Sequence, residues 1–177
     1  MRQRFVLLAS LVLGISVTAA QAQNVTREAV PGVTNFARVE TTIACAGATT
    51  PAALAELKKM GYASVINLRV ATEPGADIEG EAAAAKAAGV NFVHLPFNTA
   101  SPDPMLVDNF LKAVTAPGNQ PAFVHCASGN RAAALWMIKR IEVDKWDADR
   151  AGTEAAALGM SPALKTFVMN YVQTHKP

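Results

Sequence analysis

A thiol and a guanidinium stand five positions apart in this chain, with only small or polar residues between them. Cys126 is followed by Ala127, Ser128, Gly129, Asn130 and then Arg131. The run Ala122–Val124 before His125 is short, β-rich and bounded by Pro and Gly, which suits a buried strand. From Ala132 onward Leu135, Ile138 and Ile141 recur at helical spacing, so residues 126–131 form the expected turn from strand to helix. The first N–H groups of a helix lack intrahelical partners and carry the positive end of its dipole, so a loop wrapped over them receives anions. A cysteine at the lip of such a loop is favoured as the thiolate. Gly129 lets the backbone turn its N–H groups inward, and Arg131 supplies a planar fork of donors matched to phosphate or sulfate oxygens. The alternative is a small, buried, apolar Cys126 and a surface Arg131.

The elements that must hold this loop follow from patterning. Phe36–Ala44 is expected to be a first strand, and Thr50-Pro51 caps a helix whose apolar face is Leu54, Leu57 and Met60. A second strand is expected over Ala63–Leu68, followed by the Arg69–Ala76 loop broken at Pro74-Gly75. A helix over Ile78–Ala88 ends at Gly89, and Val90–Leu95 reads as a third strand. Asp103-Pro104 starts a helix with Val107, Phe110, Leu111 and Val114 on one face. After the helix beginning at Arg131, further helices are expected from about Trp146 to Leu158 and from Ser161-Pro162, with Leu164, Phe167, Val168 and Tyr171 facing inward. Strands alternating with helices predict an α/β fold, a mainly parallel central sheet of four to five strands flanked by helices. Sites in such sheets form where the carboxyl ends of strands meet helix starts, the place given to Cys126.

Whole-chain features narrow the functions further. Arg2 and Arg4, the apolar stretch Phe5–Val17 and Ala20-Gln21-Ala22 read as a secretory signal peptide over residues 1–22, cut after Ala22. Residues 23–35 are then a polar lead-in and residues 36–177 the folded domain, and export places the protein in the periplasm or outside the cell. Taking Arg2 and Arg4 from the 16 Lys and Arg leaves as many as the 14 Asp and Glu, so the mature chain is neutral with His uncharged. No basic stripe appears, which argues against a nucleic-acid partner, and no second membrane-length apolar segment follows the leader. The two cysteines, Cys45 and Cys126, could pair in an oxidising compartment, or Cys45 could simply pack at a strand end; the sequence leaves both open.

Val65-Ile66-Asn67-Leu68-Arg69 with Glu73 nearby, Gly89-Val90-Asn91-Phe92-Val93-His94-Leu95-Pro96, and His125-Cys126-Ala127-Ser128-Gly129-Asn130-Arg131-Ala132 together carry a resemblance. Over roughly residues 36–159 the chain resembles the bacterial phosphatase-like family of beta-lactamase-hydrolase-like proteins, a branch of the tyrosine and dual-specificity phosphatase fold. The resemblance implies that Cys126 attacks a phosphomonoester and forms a phosphocysteine intermediate. Arg131 and the N–H groups of Ala127, Ser128, Gly129, Asn130 and Arg131 would hold the phosphate oxygens. A carboxylic acid would protonate the leaving alcohol, and no metal or organic cofactor is needed. Asp103 lies where the family fold carries that acid, although Asp before Pro at a helix start is equally a cap. Glu73 is the lesser candidate for that acid.

The chain departs from the phosphatase pattern in two places. Tyrosine phosphatases generally have five residues between Cys and Arg; this chain has four, the length seen in rhodanese-type sulfurtransferases. The Ser or Thr that commonly follows the Arg is Ala132. His125 and Arg69 are expected as supporting residues, His125 beside the thiol and Arg69 as added positive potential or as an ion pair with Glu73. Ser128 could bond the thiolate or fill the turn, and Trp136 and Trp146 are expected in the core. Three functions follow: an exported cysteine-dependent phosphatase, a sulfurtransferase using the short loop, or a non-catalytic anion-binding domain. The partner is a phosphorylated or sulfur-carrying small molecule or protein.

Overall fold

Residues 25–175 are described in a computed structural model; the expected signal peptide over residues 1–22 lies outside them. β4 (Ser64–Asn67) and β6 (Ala122–His125) are the central strands, and every residue in both is buried. Strands covered on both faces need apolar or small side chains at successive positions, and Val65-Ile66 and Phe123-Val124 supply them. On either side lie β5 (Asn91–His94) and β3 (Ile43–Ala46), and all of these neighbours run parallel. β2 (Ala37–Val39) and β1 (Val25–Arg27) extend the sheet antiparallel beyond β3, giving the order β1-β2-β3-β6-β4-β5.

The sheet therefore has six strands instead of the four to five expected. One extra strand arises inside the expected first one. Glu40 adopts a left-handed φ of 47° and Thr42 N–H bonds the Val39 carbonyl at 3.1 Å, folding residues 36–46 into the β2–β3 hairpin. The other is β1, which the polar lead-in conceals: it is an exposed edge strand, so it carries little hydrophobic signal.

Period-two alternation sorts the core into two layers. Ile43, Cys45, Ile66 and Val124 face α3 (Leu106–Thr115), α4 (Asn130–Glu142), α5 (Ala148–Leu158) and α6 (Pro162–Thr174). Ala44, Ala46, Val65 and Phe123 face α1 (Leu54–Lys59) and α2 (Ile78–Ala88), where Phe36, Tyr62 and Phe123 pack ring against ring at about 6 Å. α4 is buried from Ala132 to Arg140 because the sheet covers one side and α5 and α6 the other. Each of Leu135, Trp136 and Ile138 is fully buried there, a gain of roughly 1.5–3 kcal/mol for each aliphatic side chain. That packing fixes the N-terminus of α4 against the carboxyl end of β6.

Candidate active site

The turn between β6 and α4 is clamped from three directions. Cys126 N–H bonds the Ala46 carbonyl at 3.1 Å, and Ala48 N–H bonds the Ala127 carbonyl at 3.0 Å, so β3 and its following loop form one wall. Asn35 Nδ2 donates to the Ser128 carbonyl at 3.2 Å. Asn130 makes a two-way clasp with α6: its Nδ2 donates to Ser161 Oγ at 2.9 Å, and its Oδ1 accepts from Ser161 N–H at 2.7 Å. Gly129 sits at φ 95°, a left-handed backbone that side-chain-bearing residues rarely adopt, so the bend itself calls for glycine. The bend turns Gly129 N–H onto Cys126 Sγ at 3.2 Å. Ala127 and Ser128 are exposed at the mouth while Cys126 is buried beneath them.

Arg131 is the second expected residue brought to the loop. Its Nη1 and Nη2 donate to Glu73 Oε1 at 2.6 Å and Oε2 at 2.8 Å, an end-on pair. Nη1 also reaches the carbonyls of Leu68 at 3.2 Å and Phe97 at 2.8 Å. A guanidinium has five N–H donors, and these bonds engage one hydrogen of Nη2 and both of Nη1. Nε–H and the second Nη2 hydrogen are outside these bonds, and the Arg131 side chain also hydrogen-bonds Cys126, so guanidinium and sulfur are placed to meet one oxyanion together. Burial works against the charge of Arg131, but the Glu73 hydrogen bonds and the neighbouring Cys126 outweigh it and raise its pKa.

Glu73 is the hub of the opposite wall. Burial raises its pKa, but hydrogen bonds from Arg131, from Val70 N–H at 3.0 Å and from Arg69 Nε at 3.3 Å bring it down to about 2. Arg69 is buried, and its Nη1 and Nη2 donate to the carbonyls of Gly75 at 2.9 Å and Pro74 at 2.6 Å. It forms the expected pair with Glu73, as an internal brace for the 69–75 loop. Together with Thr72, Phe97, Asn98, Thr99 and Ala127, these residues line a cleft of about 540 Å³, a volume suited to a small ligand.

Two expected residues lie away from this cleft. The Asp103 carboxylate accepts from Met105 N–H at 2.7 Å, capping the turn that leads into α3, and Asp103 lines a separate groove with Phe167, Tyr171 and His175. The His125 ring stacks on Phe123 at 5.7 Å on the α2 side of the sheet, whereas Cys126 packs in the layer under α4. There His125 Nε2 lies 2.9 Å from Glu81 Oε2, both groups wholly buried, and Glu81 Oε2 also accepts from Asn67 Nδ2 at 2.8 Å. Asn67 Oδ1 in turn accepts from Arg69 N–H at 2.7 Å, so a polar chain behind the sheet ties the Glu73 wall to the cysteine strand. Glu81 went unnoticed in the sequence, yet a signal exists: it shares the buried stripe of α2 with Ala85, one turn later.

Both cysteines are free. Cys45 pairs in register with Val124, two residues short of Cys126, and burial followed by the nearby Cys126 pushes its thiol pKa up. Ala132, which follows Arg131, carries no hydroxyl and is buried. Trp136 and Trp146 pack into the α4 layer, as expected.

Comparison with known proteins agrees with this architecture. The family model for the phosphatase-like domain of beta-lactamase hydrolase-like proteins matches residues 35–143. Among solved structures, TpbA of Pseudomonas aeruginosa is 21% identical with a TM-score of 0.65, over 90% of this chain and 94% of that one. A Cys-to-Ser variant of TpbA has been solved in complex with phosphotyrosine. The core catalytic domain of the PP-IP phosphatase Siw14 from Saccharomyces cerevisiae is 19% identical with a TM-score of 0.64, over 81% of this chain and 88% of that one. A DUF442 protein of Shewanella putrefaciens is 19% identical with a TM-score of 0.66, over 82% and 96% of the two chains. Among curated proteins, none matches the chain.

Proposed function

This chain belongs to the family of phosphatase-like domains of beta-lactamase hydrolase-like proteins, and on that premise we propose that it is a cysteine-dependent phosphomonoesterase. The observation that carries the reading is Arg131, held end-on by Glu73 and hydrogen-bonded to Cys126, in a loop whose Gly129 N–H points at Cys126 Sγ from 3.2 Å. In the first step the Cys126 thiolate attacks phosphorus, forming an S–P bond as the P–O bond to the leaving group breaks. Arg131 and the loop amides meet the charge that builds on the equatorial oxygens. In the second step water attacks the phosphocysteine, the S–P bond breaks, and the electron pair returns to sulfur. Glu73 holds Arg131 in plane for both steps. The leader-like pattern of residues 1–22 supports an exported enzyme.

Hydrolysis of 4-nitrophenyl phosphate by the reduced protein without added metal tests this. It should be inhibited by vanadate and abolished in Cys126→Ser; no turnover by the reduced wild-type protein rejects the reading.

A second reading is favoured by a specific observation. With four residues between Cys126 and Arg131, and with Asp103 capping its own turn, the loop also suits a persulfide on Cys126, whose transfer needs no acid for an alcohol. Sulfur transfer from thiosulfate to cyanide, with a mass gain of one sulfur on Cys126, would establish it; an unmodified Cys126 after excess donor would remove it.

A further inference from the structure

The cysteine loop is fastened to a part of the chain far from the residues expected to do chemistry. α4 begins at Asn130 and its cap position is Gly129, so no side chain closes off the N–H groups of its first turn. They stay open to an oxyanion only if nothing in the loop folds back over them. Asn130 is the residue that could, because an asparagine amide readily bonds neighbouring backbone groups. Both ends of that amide are engaged elsewhere: Oδ1 accepts from Ser161 N–H at 2.7 Å, and Nδ2 donates to Ser161 Oγ at 2.9 Å.

Ser161 is the cap residue of α6, at φ −81° and ψ 155°, where a serine hydroxyl ordinarily accepts from the first turn of its own helix. Its hydroxyl makes no such bond and is turned to Asn130 instead. α6 meets the site a second time. The Phe167 ring lies 5.1 Å from the buried Phe97 ring, and the Phe97 carbonyl accepts from Arg131 Nη1 at 2.8 Å. One helix thus touches both the residue before Arg131 in sequence and a residue that bonds Arg131 in space.

We infer that Ser161 is a positioning residue for the cysteine loop: through Asn130, its hydroxyl holds the first turn of α4 and Arg131 in place for the phosphate oxygens. The inference rests on the phosphatase reading above and adds to it a residue outside the 35–143 span of the family match. Ser161 stands behind the loop and acts on substrate only through Asn130. Removing one preorganised donor costs roughly 10²–10³-fold in kcat. Loosening the donors without removing one should cost less, on the order of tenfold. The loss should fall on kcat more than on KM, because the transition state makes the stricter geometric demand.

The test is a mutant cycle on the reduced protein, read by hydrolysis of 4-nitrophenyl phosphate and by calorimetric titration with vanadate, which adopts the five-coordinate geometry of the transfer. Ser161→Ala should lower kcat and vanadate affinity by that same factor, with KM nearly unchanged. Its melting temperature should hardly move, since the hydroxyl does not cap α6. Ser161→Thr keeps the hydroxyl and should restore both readouts. Asn130→Ala should lose at least as much, and adding Ser161→Ala to it should lose nothing more. Unchanged kcat and vanadate affinity in Ser161→Ala overturn the inference. A loss that Ser161→Thr does not restore overturns it too, as do additive losses in the double variant. A wild-type protein that binds vanadate but hydrolyses nothing rejects the phosphatase reading alone, and the vanadate arm still decides the role of Ser161. One that neither binds nor hydrolyses rejects both.

Discussion

Arg131 opens helix α4 and Arg140 lies near its other end, and each is held by a glutamate at hydrogen-bonding distance. Glu154 grips Arg140 side-on, Nε to Oε1 at 2.7 Å and Nη2 to Oε2 at 3.1 Å. Asp144 takes Nη1 at 2.9 Å, and the rings of Trp136 and Trp146 lie 4.6 and 4.2 Å from the guanidinium carbon. Glu73 grips Arg131 end-on, and Arg131 also bonds the Cys126 side chain in the anion loop. The same two residue types thus make a fastening in one place and a receptor in the other. What separates them is which edge the carboxylate uses and whether aromatic rings close over the faces. A buried Arg–Glu pair does not by itself mark function or structure.

The largest effects should split along this line. Arg131→Lys keeps the charge but loses the fork, and phosphatase activity should fall by roughly 10²–10³-fold with little change in melting temperature. Arg140→Lys should do the reverse, lowering stability with kcat/KM intact. Equal loss of activity in both variants would erase the distinction. Next, Glu154→Ala strands Arg140, and urea denaturation should show a loss of about 3–5 kcal/mol, the cost of breaking a buried pair. A loss below about 1 kcal/mol in that experiment would mean that the tryptophans, not the carboxylate, hold the guanidinium.

Glu73→Gln should be milder, about tenfold in kcat/KM, because the amide still accepts one hydrogen bond from Arg131. It also tests pH dependence. Glu73 has its pKa lowered from 4.5 to about 2, so its contribution to stability is present above about 4.5 and is lost as pH falls toward 2. Wild type should therefore be the more stable protein at neutral pH, and the gap should close in acid; a gap unchanged across that window would separate Glu73 from the acid response. The smallest effect belongs to neither arginine. The Asp147 side chain caps α5 through Arg150 N–H at 2.8 Å, and Asp147→Ala should lose about 1 kcal/mol with unchanged turnover.

Much of this was legible in advance where one residue type answers a local demand. Gly89 and Gly159 end α2 and α5 in the left-handed conformation, and Pro162 opens α6. The alternation of Val65, Ile66, Phe123 and Val124 with helical patterning announced a parallel sheet, and Cys126 at the end of its central strand followed. β1 was not legible, because three partly exposed residues in a polar lead-in become a strand only by pairing with β2. Nor was the chain Asn67–Glu81–His125, whose members are far apart in sequence and meet behind the sheet. For Asp103 both readings fit the local sequence equally, and a 2.7 Å bond to Met105 N–H shows the cap.

By itself the sequence determined the loop. Strand, thiol, Gly129, Arg131 and helix are consecutive, and backbone stereochemistry leaves few ways to join them. Only the tertiary structure decided what surrounds the loop. Which edge of Arg131 Glu73 occupies, and on which side of α3 the Asp103 carboxylate lies, depend on how loops from three different strands pack together. Such long-range geometry is set by the burial of whole layers and not by neighbours in the chain.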